Sequence, residues 1–299
     1  MEAATTEIDG AINSITRSLA IAMYGTGSGS IGQISTTTTL ASDTIVLTDP
    51  ESVTNFEVGQ VLVLSTADGG GSVKTGSLTV NGVNRDLGTV RTSVNISTGI
   101  ATAALSDYIF VQGDYDLKIK GLRAWLPDTA PTAGDNFFSV DRSADTSRLA
   151  GIRFDGSAMP IEEALVSAAA RVSREGGRID YCFLSYDRFA DLEKSLGSKV
   201  QYVNLQSESP NVGFRGIMIN GPKQVIKVVP DQNCPSTRAF MLQMDSWKLY
   251  TLGRAPRILD SDGLKMLRET SADAVEVRVG YYGQMGCNSP GWNATVKLA

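Results

Sequence analysis

Over the first two dozen residues Ala4, Ile8, Ala11, Ile12, Ile15, Leu19, Ala22 and Met23 fall three or four apart, with Thr6, Asp9, Asn13, Thr16 and Arg17 between them. That period predicts an amphipathic helix over about residues 2–24, with one buried stripe, stopping at Gly25. At 1.5 Å per residue such a helix runs roughly 35 Å. Few small domains offer so long an apolar partner, so the helix constrains the fold more than any other segment.

The chain has 299 residues, 42% hydrophobic and 20% charged, with a formal net charge of −5, values of an ordinary globular protein large enough for one big domain or two to three smaller ones. Residues 1–130 carry 13 acidic against 7 basic side chains, whereas the remainder holds 19 against 20, so a polyanion would meet a nearly neutral C-terminal half without being attracted to it. Histidine is missing. That closes the Ser-His-Asp, Cys-His and H-E-x-x-H plans and leaves carboxylate, lysine or Asp-bound magnesium chemistry. Cys182, Cys234 and Cys287 are odd in number and widely spaced, which predicts buried free thiols rather than a disulfide frame or zinc site. The acidic N-terminus has no cleavable apolar core and the greasiest runs are far too short to span a bilayer, so a soluble chain without a secretion signal is expected. The sequons at Asn95 and Asn293 carry no weight without a secretory context.

After the helix, "GTGSGSIG" looks like a phosphate cradle, but it follows a helix, opens a β segment and has no Lys, so a cap and turn are expected. From about residue 33 to 113 short β runs ("DTIVLT", "GQVLVLST", "SLTVNGVNRD", "GTVRTSVNIS", "DYIFVQGD") alternate with turns and predict a small all-β barrel or sandwich, spliced into a different surrounding pattern. The polar stretch after Pro127 and Pro131 reads as an arm or loop. Pro160 starts a second amphipathic helix through Ile161, Ala164, Leu165, Ala168 and Val172, ending at Gly176-Gly177. A buried strand "DYCFLSY" follows, then a short helix capped by Asp187 with Phe189, Leu192 and Leu196 on one face, a hairpin around Asn220-Gly221-Pro222, a strand "AFMLQMDSWKLY", and a short helix at "DGLKML" capped by Asp260-Ser261. Finally, every odd position from Val275 to Cys287 is apolar, Gly or Cys, which predicts a long pleat; Ser289-Pro290-Gly291 then turns the chain into a last strand.

This order of elements resembles the C-terminal half of tailed-bacteriophage major capsid proteins of the Hong Kong 97 type, and the first helix resembles their spine helix. The likeness covers roughly residues 1–32 and 119–299. It implies an α+β fold: a peripheral domain from 1–32 and 255–299 with the spine helix and terminal sheet, an inserted all-β domain at 33–118, and a mixed α/β axial domain at 119–254. The Val275, Val277, Val279 and Tyr281 edge would then lie beneath Ile8, Ile12, Ile15 and Leu19, with Ala294, Val296 and Leu298 returning alongside. Members of that family carry an N-terminal arm and an extended loop before the spine helix; here the helix begins at residue 2, so the chain is a fragment, a processed or shortened form, or a subunit that assembles without those parts. The resemblance further implies self-assembly into hexamers and pentamers of an icosahedral shell in the virion, built in the host cytoplasm. Its partners would be itself and portal, scaffold or decoration proteins, with packaged double-stranded DNA touched only non-specifically and no membrane.

Two other classes remain open. The β module could bind a glycan or protein, with Phe56, Tyr108 and Phe110 as the few aromatics available for sugar stacking. An enzyme would have to use Asp260/Asp262 or Asp114/Asp116, yet the first pair lacks the spacing of a calcium loop and the second reads as a solvated turn. Arg171, Arg174 and Arg178 make a basic patch that could face DNA or simply water. No catalytic, cofactor-binding or metal-ligating residue and no cofactor is assigned from the sequence.

Overall fold

The structure, a computed structural model, describes residues 2–196, 202–206, 213–260, 263, 266–268 and 275–298. It is mixed α+β. Helix α1 (Glu2–Tyr24) spans the expected segment and stops where Gly25 donates its N–H to the Ala22 carbonyl at 3.0 Å. Its burial grows along its length: Ile8, Ile12 and Ile15 are half-buried, whereas Leu19, Ala22 and Tyr24 are buried.

Strands β1 (Ser30–Gln33), β2 (Thr44–Val46), β3 (Val61–Ser65), β4 (Leu78–Asn84) and β5 (Thr89–Thr92), helix α2 (Ile96–Gly99) and strand β6 (Tyr108–Val111) form one all-β unit. Its sheet order is β1-β6-β3-β4-β5-β2. An antiparallel bridge between Ile34 and Leu47 joins the two outer strands, with Ser35 N–H on Val46 O (2.8 Å) and Thr48 N–H on Gln33 O (2.9 Å), so the sheet closes into a six-stranded barrel without a free edge. Ile34, Ile45, Phe56, Leu62, Leu64, Leu78 and Ile109 fill it, and α2 plugs it with Ile96 and Ile100. The buried Lys74–Asp107 ion pair (2.5 Å), with Lys74 Nζ also on Thr102 O at 2.7 Å, ties the turn after β3 to the entrance of β6.

Beyond the barrel come α3 (Leu122–Trp125), a two-residue hairpin ladder of β7 (Asn136–Phe137) and β8 (Val140–Asp141), β9 (Ile152–Asp155), α4 (Ile161–Arg174), β10 (Tyr181–Leu184), α5 (Tyr186–Leu196), β11 (Tyr202–Gln206), β12 (Gly213–Asn220), β13 (Val225–Pro230) and β14 (Arg238–Leu242). Gly121, which opens α3, lies so close to the carbonyl oxygens of Ala22 and Met23 that a Cβ there would collide with both, so α3 seats directly under the end of α1. Helix α5 begins two residues earlier than a cap at Asp187 requires: Ser185 is the cap, receiving the Arg188 N–H on its hydroxyl (3.4 Å) and the Phe189 N–H on its carbonyl, and Asp187 sits in the first turn.

The expected strand "AFMLQMDSWKLY" is two strands. A 3-10 turn at Met244–Ser246 separates β14 from β15 (Trp247–Thr251), which leaves the main sheet. With β16 (Arg257–Ile258), β17 (Leu267–Arg268), β18 (Val275–Glu276), β19 (Val279–Gly280) and β20 (Gly283–Cys287) it forms nested antiparallel pairs, β15–β20, β16–β19 and β17–β18, a two-stranded ribbon that runs out and back. Half of the expected helix at "DGLKML" lies outside the described residues, and its described end, Leu267, is extended.

The last strand, β21 (Ala294–Lys297), does not return beside residues 275–287 as the resemblance implied. It enters the seven-stranded sheet, order β11-β12-β13-β10-β14-β21-β9, antiparallel to β14 and parallel to β9. The side chains explain this. Ala294 and Val296 complete the apolar face under α4 and α5 with Ala239, Met241, Cys182 and Leu184, while the alternate residues Phe183, Phe240 and Leu242 cover the opposite face with Tyr24, Leu122 and Leu126. The pleat itself breaks into three short strands. Val275 is exposed, and the pleat meets the helix at its middle, where β19 lies against α1 and Tyr281 packs with Leu19, Ala22 and Ile119.

Asn293 fixes the junction of sheet and ribbon. Fully buried, it accepts from Gln243 N–H (2.8 Å) and Trp247 Nε1–H (2.9 Å) through Oδ1, and donates through Nδ2 to Ser289 O (2.9 Å) and Ser246 Oγ (3.2 Å). No carbohydrate could be carried there by the folded chain. Asn293→Ala strands two partly buried donors and is expected to cost about 3 kcal/mol, or roughly 5–10 °C in Tm, measured by denaturant and thermal unfolding.

Candidate functional site

The residues singled out by sequence are held by their own chain. Asp114 pairs with Lys118 at 2.8 Å, and Asp116 accepts the Gly70 N–H at 2.9 Å, so the two carboxylates serve separate turns. Asp260 closes a turn through its carbonyl with Gly263 N–H, and Asp262 lies outside the described residues. Among the described residues no three His, Cys, Asp or Glu side chains converge as metal ligands, and no helix is long and apolar enough to cross a membrane. Arg171 lies over the Phe154 ring at 5.3 Å, Arg174 is beside Glu175, and Arg178 donates to Gln224 Oε1 at 3.0 Å, so the patch is divided among three local contacts.

The glycine loop after α1 works as a close crossing. Gly27 and Gly29 have φ of +91° and +86°, and Cβ atoms there would strike Lys120 and the Asp114 carbonyl. Ser28 Oγ donates to the Asp68 carboxylate at 2.5 Å, so the loop's hydroxyl is turned to an internal acid. Phe56 and Phe110 are fully buried in the barrel and unable to stack on a sugar; Tyr108 alone of the three is half-buried. All three cysteines are buried and free. Burial pushes the thiols of Cys182, Cys234 and Cys287 up, which suppresses the reactive thiolate.

The ribbon is one of the places where apolar side chains stay open to solvent. Leu249, Tyr250, Leu252 (69% exposed) and Met266 on the outgoing arm and Val275 and Tyr282 (56%) on the returning arm are exposed, and among the described residues each arm has a strand partner on one side only. An isolated two-stranded ribbon is marginal in water. Its unpaired N–H and C=O rows and its apolar side chains can be satisfied by a further protein surface. At its inner end the ribbon is anchored rather than loose: Trp125 Nε1–H donates to Met285 O at 3.1 Å, Lys120 N–H to Gln284 Oε1 at 2.7 Å, and Tyr281 meets α1. Beside it, the outer half of α1 presents half-buried Ile8, Ile12 and Ile15 and exposed Glu7 and Asp9. Sequence reasoning read residues 275–287 as a core pleat; the signal for a ribbon was Gly253, Pro256 and Gly263, which interrupt the outgoing arm at turn-forming positions.

No protein-family model matches this chain, and no curated protein matches it. Among solved structures it is similar to a chain of the cyanophage A-1(L) capsid asymmetric unit, at 14% identity and TM-score 0.44, over 61% of this chain and 59% of that one. It is also similar to a chain of the virus-like particle from Pyrococcus furiosus, at 11% identity and TM-score 0.30, over 49% and 54%. The chain therefore spans less than two thirds of either.

Leu252→Ser with Tyr282→Ser is expected to lower binding of a hydrophobic dye to the dissociated chain while changing stability by no more than about 0.5 kcal/mol, since neither side chain is part of the core. A thiol reagent is expected to leave the native chain unlabelled over minutes and to modify three thiols after unfolding in denaturant.

Proposed function

We propose that this chain is a structural subunit that assembles with copies of itself into a viral shell. The observation that carries the reading is the anchored ribbon: a rigidly rooted, apolar, edge-exposing element that the described residues leave uncovered. A catalyst needs a cleft with convergent polar groups, whereas a shell subunit needs broad lateral surfaces, and the ribbon carries a run of exposed apolar side chains along such a surface.

In its finer form the reading follows the element order given above. The subunit would build hexameric and pentameric capsomers of an icosahedral tailed-phage head enclosing double-stranded DNA, act without catalysis or cofactor, and reside in the virion, with portal, scaffold or decoration proteins as further partners. Residues 1–32 and 255–299 would form the peripheral domain, with β21 crossing back into the sheet of the 119–254 axial domain, and 33–118 would be an inserted domain. The acidic balance of the chain suits a shell that holds DNA without gripping it.

Light scattering and negative-stain microscopy of the purified full chain, followed by hydrogen exchange, test this. Rings or shells are expected to form with rising concentration, and ribbon amides at 247–251 and 283–287 to become protected when they do. A chain that stays monomeric up to about 100 μM, or assembles with those amides still exchanging freely, overturns the reading.

A further inference from the structure

The hairpin between β7 and β8 turns through Phe138 and Ser139, with φ of +49° and +66°. Two successive left-handed residues define a tight turn that Asn-Gly or Gly-Gly makes without strain, and a bulky aromatic makes at a cost. A strained backbone persists only where its surroundings hold it, and here they do. Arg142, buried, donates to Ala124 O (2.8 Å) and to both Asp135 carboxylate oxygens (3.2 Å), and its guanidinium stacks on Phe137 at 4.4 Å. Phe137 in turn meets Trp125 edge-on at 4.9 Å. The result is a fixed knob: the Phe138 ring rests on Trp125 (5.6 Å) and Phe137 (4.6 Å) yet is 54% exposed, with exposed Val140 beside it.

The same aromatic strip leads to a receptacle. Trp125 and Trp247 lie 6.4 Å apart, edge to face, and Trp247 forms one wall of an apolar cleft of about 360 Å³ shared with Met23, Leu122, Phe183, Leu242 and Met285. Met244 and Leu249 stand exposed at its rim, and Phe138 of the same chain is not among its lining residues. A cavity of about 150 Å³ lined by Leu, Ile and Phe takes up benzene, so this cleft has room for a phenyl ring.

We propose that the Phe138 knob of one copy seats in the Trp247 cleft of a second copy. This deepens the shell-subunit reading and rests on it. One chain carries both complementary parts: a rigid, strained aromatic that the described residues leave 54% exposed, and an apolar cleft of aromatic size that Phe138 of the same chain does not line. Aromatic anchors buried in a well-packed pocket dominate interface energetics, and the rigidity of this one keeps its ordering cost low.

Two substitutions test it. Phe138→Gly removes the ring while suiting the left-handed backbone, and is expected to leave Tm within about 2 °C but weaken self-association about 30-fold, the effect of losing an interface hot spot. Separately, Val140→Cys and Leu249→Cys chains, which keep the Phe138 ring, are mixed and oxidised; both positions are exposed, so folding is not at stake even if the glycine variant fails. A disulfide joining one chain of each type is expected. If the wild type assembles while the Gly variant assembles equally well and no mixed disulfide forms, the knob is overturned and the subunit reading stands. A disulfide formed only within a doubly substituted chain overturns it too, by placing the ring in its own cleft. If the wild type never assembles, both fall.

Discussion

The buried carboxamide of Asn293 is where the two halves of the structure are joined. Its five neighbours come from the end of β14, the start of β15, the end of β20 and the turn before β21, the four places where the chain leaves the seven-stranded sheet for the ribbon and comes back. A carboxamide can donate and accept at once, which no apolar residue could do in a site that must hold a departing and a returning strand together. With that junction fixed, β21 falls between β14 and β9, the apolar face under α4 and α5 is complete, and the ribbon is rooted in the core.

The root matters because the ribbon's two arms have little else to hold them. Along β15 every residue beyond Trp247 is exposed, and the arms interact mainly with each other. Surface of this kind is costly for a monomer and useful for a chain that associates. The apolar strip from Phe138 across Trp125 and Trp247 to Leu249 is continuous with the ribbon's base, so part of the apolar exposure lies on connected ground, while Leu117, Leu87 and Val58 are exposed elsewhere. The chemistry-bearing residues, by contrast, are spent on internal bonds: Asp116 on Gly70, Ser28 on Asp68, Asp107 on Lys74.

Local periodicity made much of this legible in the sequence. Helix α1, helix α4, the strand with Cys182 and the hairpin of β12 and β13 all follow from spacings within a few residues, and the alternation of short β runs with turns announced an all-β unit before residue 113. Pairing was less legible, because a strand's partner is chosen by surface far away in the chain. Residues 294–297 look like a simple return strand, and only the facing rows from α4, β14 and β9 make the place between β14 and β9 the one that buries Ala294 and Val296. The break at Met244–Ser246 was hidden by the apolar residues on both sides, since the seal there is made by Asn293, nearly fifty positions later. The knob was invisible for another reason: nothing in Phe138-Ser139 suggests a left-handed turn, and the arginine that compels it, Arg142, reads as an ordinary surface charge.

The barrel's closure bears on how such a chain could change over time. Its first and last strands are neighbours, with Ser30 facing Phe110, so the polypeptide enters and exits the module through adjoining rungs of one ladder. A segment whose two doorways stand side by side can gain or lose length between them while the doorway itself keeps its shape, although its loops also brace α1, through Arg17 on Glu57 and Thr54, and the turn before β14, through Ser236 on Asp49.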